Sequence, residues 1–122
     1  MKSYYFNKKD SPILLISFKK GMVSYNFDHE MNESVKIFKD KNKYICYSAF
    51  IIFETNNSSL VSSCQDGDIR IWNYINCEII TRIKISNNIL GSISLWKNNF
   101  FKFIICCEKN SIKLIDIKKK KL

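Results

Sequence analysis

The sequence predicts an all-β fold made of an array of short antiparallel units, and three observations carry that prediction. Apolar and polar residues alternate with a period of two. Ile79, Thr81, Ile83 and Ile85 share one face of the segment 78–85, with Glu78, Ile80, Arg82 and Lys84 on the other. The breaks between such segments are written in Asn, Asp, Ser and Lys, as at 41–43, 56–59, 86–88 and 97–99, where Asn tolerates left-handed backbone and bonds its own main chain. Finally, the chain is self-similar. Leu60 to Asn73 is matched 46 residues earlier by Leu14 to Gly21, with Val23 and Tyr25 falling on Ile69 and Ile71. It is matched 43 residues later by Phe103 to Cys107 and Ile112 to Asp116. A period of this length signals repeated four-stranded units.

Each element follows from a β-branched or aromatic run between turn signals. A first strand is expected at 3–6, then strands at 13–18, 22–27 and 34–39. The run 44–53 is the longest, followed by 60–64, where the Asp66-Gly67 turn leads to 68–73. There Ile69 and Ile71 oppose Arg70. Strands at 78–85, 91–96 and 102–107 come next, and 111–117 closes the series with Ile112 and Leu114 opposing Lys113. No segment has helical periodicity. One proline and three glycines leave no flexible linker to divide the chain.

Composition narrows the function classes. The chain has 122 residues, is 46% hydrophobic, and contains nine Phe, six Tyr and two Trp, which is a globular composition. The stretch 44–53 is half the roughly 20 residues that a spanning helix needs, and the N-terminus has no sustained apolar run. The expectation is therefore a cytoplasmic or nuclear chain with no transmembrane segment. Five cysteines without a Cys-x-x-Cys pair, and a single histidine, His29, give zinc no ligand set. The thiols read as small buried hydrophobes, with Cys64 and Cys107 in the same slot of two repeats. The net charge is +9, but 18 of the 20 basic residues are Lys and only Arg70 and Arg82 are Arg. Specific phosphate and base recognition leans on Arg. Most of the charge reads as a solvated surface.

The stretch from Leu60 to Asn73 closely resembles the second half of a WD40 repeat, with its strand, Asp-Gly turn and Ile-Arg-Ile-Trp-Asp ending. The resemblance implies antiparallel four-stranded blades of a WD40-type β-propeller, with approximate blades at 1–43, 44–88 and 89–122. It also implies structural roles for Ser62, Asp66, Gly67 and Trp72 in a polar set joining the second and third strands, and for Asp116 in the closing dipeptide of the last repeat. The Gly-His that would complete this set is missing, replaced by Lys41-Asn42-Lys43 and Ser86-Asn87-Asn88. Lys20 and Lys109 stand in place of the turn Asp. Roughly 2.7 blades are present against the 4–8 typical of a closed ring, so the ring is expected to be incomplete, with large apolar faces left open. A fragment or a truncated gene product is the favoured explanation. Completion of the ring by a second copy or another chain is the alternative.

Catalysis has no base to work with, since His29 sits in the polar stretch Asp28-His29-Glu30, and three scattered glycines build no phosphate loop. No enzyme and no cofactor are expected. The leading reading is a protein–protein interaction scaffold, docking partners through the loops before the inner strand and between the second and third strands. These loops supply Lys19, Lys20, Lys41, Lys43, Gln65, Asp68, Asn87, Asn88 and Lys109. The alternative is non-specific binding of nucleic acid or anionic membrane by distributed lysines, including the C-terminal run Lys118 to Lys121.

Overall fold

The computed structural model describes residues 2–8, 11–18, 21–27, 33–40, 46–53, 58–85, 92–98, 102–108 and 110–117. Among them lie eleven strands in three antiparallel sheets. The first sheet runs β1 (Lys2–Lys8), β2 (Ser11–Phe18), β3 (Gly21–Phe27) and β4 (Glu33–Lys39) in chain order. The middle sheet runs β5 (Cys46–Ile52), β6 (Ser59–Cys64), β7 (Asp68–Asn73) and β8 (Ile79–Lys84). The third comprises β9 (Ile93–Lys97), β10 (Lys102–Cys107) and β11 (Ile112–Asp116). The starting strands of the sheets are neighbours, β1 against β5 and β5 against β9. The sheets thus stand as blades around a common inner edge, and among the described residues the fold is all-β: a sector of an open propeller with no closed barrel.

Alternation sends the two faces of the middle sheet into separate cores. Cys46, Ala49, Ile51, Leu60, Cys64, Trp72 and Tyr74 meet Ile13, Leu15, Met22 and Phe38 of the first sheet. Phe50, Ile52, Val61, Ile69, Ile71, Ile83 and Ile85 meet Ile93, Ile104, Cys106 and Ile115 of the third. Fully burying side chains of this size contributes about 1.5–3 kcal/mol each, so both seams are substantial. Between β7 and β8 the chain turns on Asn73, whose Oδ1 accepts from the backbone N–H of Ile75 at 2.8 Å and of Asn76 at 3.2 Å. Cys77 takes a left-handed φ of 64° to complete that turn.

Strand register corrects the repeat alignment read from spacing. Two residues separate β2 from β3, three separate β6 from β7, and four separate β10 from β11. The core faces stay matched, so the sequences slip by one place at each step. Ser24, paired with Leu15, takes the position of Ile71, paired with Val61; Met22 takes that of Ile69. Val23 and Tyr25 therefore do not fill those slots. In the third sheet Ile104, paired with Ile115, stands where Leu60 pairs with Trp72, and Cys106 stands where Ser62 does. Cys107 is consequently not the counterpart of Cys64. It lies half-buried on the side away from the middle sheet, along with Ile112 and Leu114, which are 70% and 56% exposed.

The tightest of these hairpins depends on Gly21. Its φ is +153°, and a Cβ there would run into the backbone carbonyl of Phe38 on the adjacent strand. Only glycine allows that approach.

Candidate functional site

The polar residues of the middle sheet gather at the end of the blade where β6 turns into β7. Gln65-Asp66-Gly67 forms the turn, closed by the Gly67 N–H donating to the Cys64 carbonyl at 3.1 Å. Gly67 has a φ of 83°, a conformation that disfavours a side chain. Asp66 Oδ1 accepts from the Asp68 N–H at 3.2 Å, and Lys84 Nζ donates to the Asp66 carbonyl at 2.7 Å. Gln65 projects into solvent, and Asp68 pairs with Lys84 at 3.5 Å.

Arg70 is the centre of the cluster. Its place on β7 between Ile69 and Ile71 points it to the first-sheet side, and the side chain is fully buried. A buried guanidinium must be paired, and planar carboxylates suit its fork. Nη1 and Nη2 donate to the two oxygens of Asp66 at 3.0 and 2.7 Å, while Nε donates to Asp40 Oδ2. Asp40, just beyond β4 and buried, takes its second oxygen to Arg82 at 2.8 Å. Two arginines and two carboxylates thus form a neutral chain joining the first sheet to the middle one. Burial alone would raise the Asp66 pKa. The Arg70 guanidinium and the Asp68 amide outweigh it and hold the carboxyl below its ordinary value. Burial would likewise lower Arg70, but Asp66 and Asp40 keep it firmly protonated.

Beside this chain lies a second polar line. Trp72 is fully buried and donates its indole N–H to Ser62 Oγ at 3.1 Å. The Trp72 ring meets Phe38 edge-on, with centroids 5.6 Å apart, and Phe38 stacks on Tyr74 at 5.8 Å. The Tyr74 hydroxyl shares a 2.7 Å hydrogen bond with Ser24 Oγ across the seam. Ser17 Oγ donates to the Cys46 carbonyl at 2.9 Å, a further link between the two sheets. Opposite Cys64, Cys46 brings the two sulfurs within 3.1 Å.

The residues singled out from sequence separate into two groups. Ser62, Asp66, Gly67 and Trp72 meet in this cluster, while Asp116 lies at the end of β11, in the third sheet. Of the loop residues, Lys19, Lys20, Lys41, Lys43, Asn87, Asn88 and Lys109 lie outside the described residues, as do His29 and the C-terminal lysines. Sequence reasoning missed Asp40, Arg70 and Arg82 as one unit. The signal was available: two arginines in a lysine-rich chain mark places where lysine would not serve. Degeneration of the third blade is also visible in chemistry. Lys113, at the register position of Arg70, pairs with Glu108 at 2.7 Å and donates to the Ile85 carbonyl at 2.8 Å, without the two-pronged grip on one carboxylate that Arg70 makes.

No group of three or more His, Cys, Asp or Glu side chains is placed to hold a metal ion among the described residues. No helix among them is long and apolar enough to cross a membrane. No known family profile matches the chain, and no curated protein does. Solved structures do match. The chain is similar to a chain of Chaetomium thermophilum Polycomb Repressive Complex 2 bound to GSK126, with 13% identity and a TM-score of 0.75, over 98% of this chain and 29% of that one. It is similar to the computationally designed Ika8 protein, with 12% identity and a TM-score of 0.54, over 96% of this chain and 46% of that one. The designed Ika4 protein matches with 13% identity and a TM-score of 0.50, over 96% and 93%. The chain thus spans 29% of the length of the Polycomb complex chain, and likeness at this level of identity establishes its fold, that of a partial propeller.

Proposed function

We propose that this chain is a WD40-type propeller sector that serves as a protein–protein interaction module and carries no chemistry of its own. What supports the reading is the pair of sheet faces left uncovered at its two ends. On the third sheet Trp96, Ile112 and Leu114 are 47%, 70% and 56% exposed, with Phe103 packed against Trp96 at 5.8 Å. On the first sheet Val35 and Ile37 are about half exposed, opposite the face that buries Phe38. Contiguous apolar faces of this kind mark interaction surfaces. The occupants they suit are further antiparallel sheets, whether from the same polypeptide, a second copy or a partner chain. The cytoplasm or the nucleus is the proposed setting.

The lysine-surface alternative draws less support. Arg70 and Arg82, the chain's two arginines, are both bound to Asp40, and Lys36, Lys84 and Lys113 donate to backbone carbonyls. Salt separates the two readings. Association through apolar faces should persist at raised ionic strength and be lost in Leu114→Glu, an exposed position where the substitution spares the core. Binding that falls steeply with salt and ignores Leu114→Glu would sink the proposal. Sedimentation velocity in low and raised salt reads both.

A further inference from the structure

Cys46 and Cys64 are directly opposed on β5 and β6. Antiparallel partners have Cα atoms about 4.5–5.5 Å apart, inside the window of roughly 4.4–6.8 Å that a disulfide requires. The two sulfurs already lie 3.1 Å from each other, and both side chains are buried at the seam with the first sheet.

This alignment depends on a local irregularity. Ala49 and Ile51 face the first sheet, so strict alternation would turn Cys46 to the opposite side. The register shifts between Cys46 and Ser48, and this bulge returns Cys46 to the face that carries Cys64. Bulges serve to re-aim side chains. Neither the buried ion chain nor the Trp72–Ser62 bond uses the thiols.

We propose that Cys46 and Cys64 form a reversible oxidative modification site that closes into a cross-strand disulfide when a peroxide reaches it. The Cys46 thiolate attacks one oxygen of hydrogen peroxide. The O–O bond breaks, the released hydroxide takes up a proton to leave as water, and Cys46 becomes a sulfenic acid. Cys64 sulfur then attacks the Cys46 sulfur. The S–O bond breaks, a second water leaves with the Cys64 proton, and one S–S bond remains. Two thiols are oxidised by two electrons, and the peroxide is reduced to two waters. Proton sharing favours the start of this sequence. Loss of one proton from the pair is eased because the remaining S–H donates to the thiolate and the Arg70 charge lies close, while loss of the second is pushed well up. Peroxide suits the site because it is small. Entry requires only local opening of the seam. A dithiol reductant returns both thiols by exchange.

The disulfide would fasten the innermost strand of the middle blade to its neighbour, at the point where Ser17 of the first sheet docks on the Cys46 carbonyl.

The test treats the full chain with stoichiometric hydrogen peroxide, alkylates it, and maps the peptides without reduction. The expected result is a chain lighter by two hydrogens, with a 46–64 cross-link and alkylatable thiols reduced from five to three. Dithiothreitol should restore all five. The 46–64 pair should exceed any other by at least about tenfold under native conditions, the advantage of held proximity, and lose that lead in urea. Cys106→Ala, in the other core, should leave the cross-link intact, whereas Cys46→Ala should remove it. A sulfinic acid on Cys46 without a cross-link would overturn the proposal. So would five alkylatable thiols after peroxide, or a pairing pattern unchanged by urea.

Discussion

The two seams of the middle sheet are closed by different means. Toward the third sheet the core is apolar: Val61, Ile69, Ile71 and Ile83 against Ile93, Ile104 and Ile115. Its polar links sit beside that core, where Ile93 N–H donates to Ser48 Oγ at 3.3 Å and Lys113 donates to the Ile85 carbonyl at 2.8 Å. Toward the first sheet the seam carries the aromatic set Phe38, Trp72 and Tyr74 together with the Asp40–Arg70–Asp66 chain. Both solutions hold blades together. Aliphatic packing tolerates sliding and small volume changes, whereas a buried fork of hydrogen bonds accepts one geometry. One seam is filled, and the other is also fixed in register.

That contrast predicts a graded response to substitution. The largest effect belongs to Arg70→Met. It keeps volume but takes the guanidinium fork from Asp66 and leaves Asp40 with one arginine instead of two, and removing one partner of a buried pair costs about 3–5 kcal/mol. Urea unfolding measures it, and a loss below that of a routine surface change would show that the ion chain is not part of the seam's stability.

Asp66→Asn should cost less, about 1.5–3 kcal/mol, the worth of hydrogen bonds to a charged group. It adds a pH signature. The folded Asp66 carboxyl titrates below its ordinary value, so folding binds its proton less tightly than the unfolded chain does. The contribution is full above the unfolded value near about 4 and disappears as pH falls through the folded one. The gap between the parent chain and Asp66→Asn should therefore close on acidification. A gap independent of pH would remove the charge from the account.

The smallest effect is expected across the aliphatic seam. Ile104→Val deletes one methyl from a fully buried residue and should cost about 0.5–1.5 kcal/mol with no pH dependence. If it matched Arg70→Met, the distinction between the seams would collapse.

Much of the fold is legible in the sequence because each strand's period of two and each Asn-rich turn acts locally. The sheets follow from the repeat, and the Trp72–Ser62 bond from a resemblance that rests on a short motif. What escapes is whatever depends on register. Hairpins of two, three and four intervening residues absorb single insertions without moving a core face, so Val23 and Phe103 look equivalent to Ile69 and Leu60 when Met22 and Ile104 are. A bulge at the start of β5 likewise reverses Cys46 relative to simple alternation. Asp40 is separated from Arg70 by thirty positions, and nothing local in either segment announces the pairing.

The two uncovered faces also differ from one another, since one belongs to the leading sheet and the other to the trailing sheet of the same series. A contact between copies that repeats the internal stacking must therefore join unlike faces, head to tail. Such contacts have no dyad to satisfy them; they either return to their starting point after a whole number of copies or continue without limit. The net charge of +9 opposes such growth in dilute salt and relaxes its opposition as salt rises. In an assembly of copies built this way, ionic strength would set the balance between separate molecules, rings and threads.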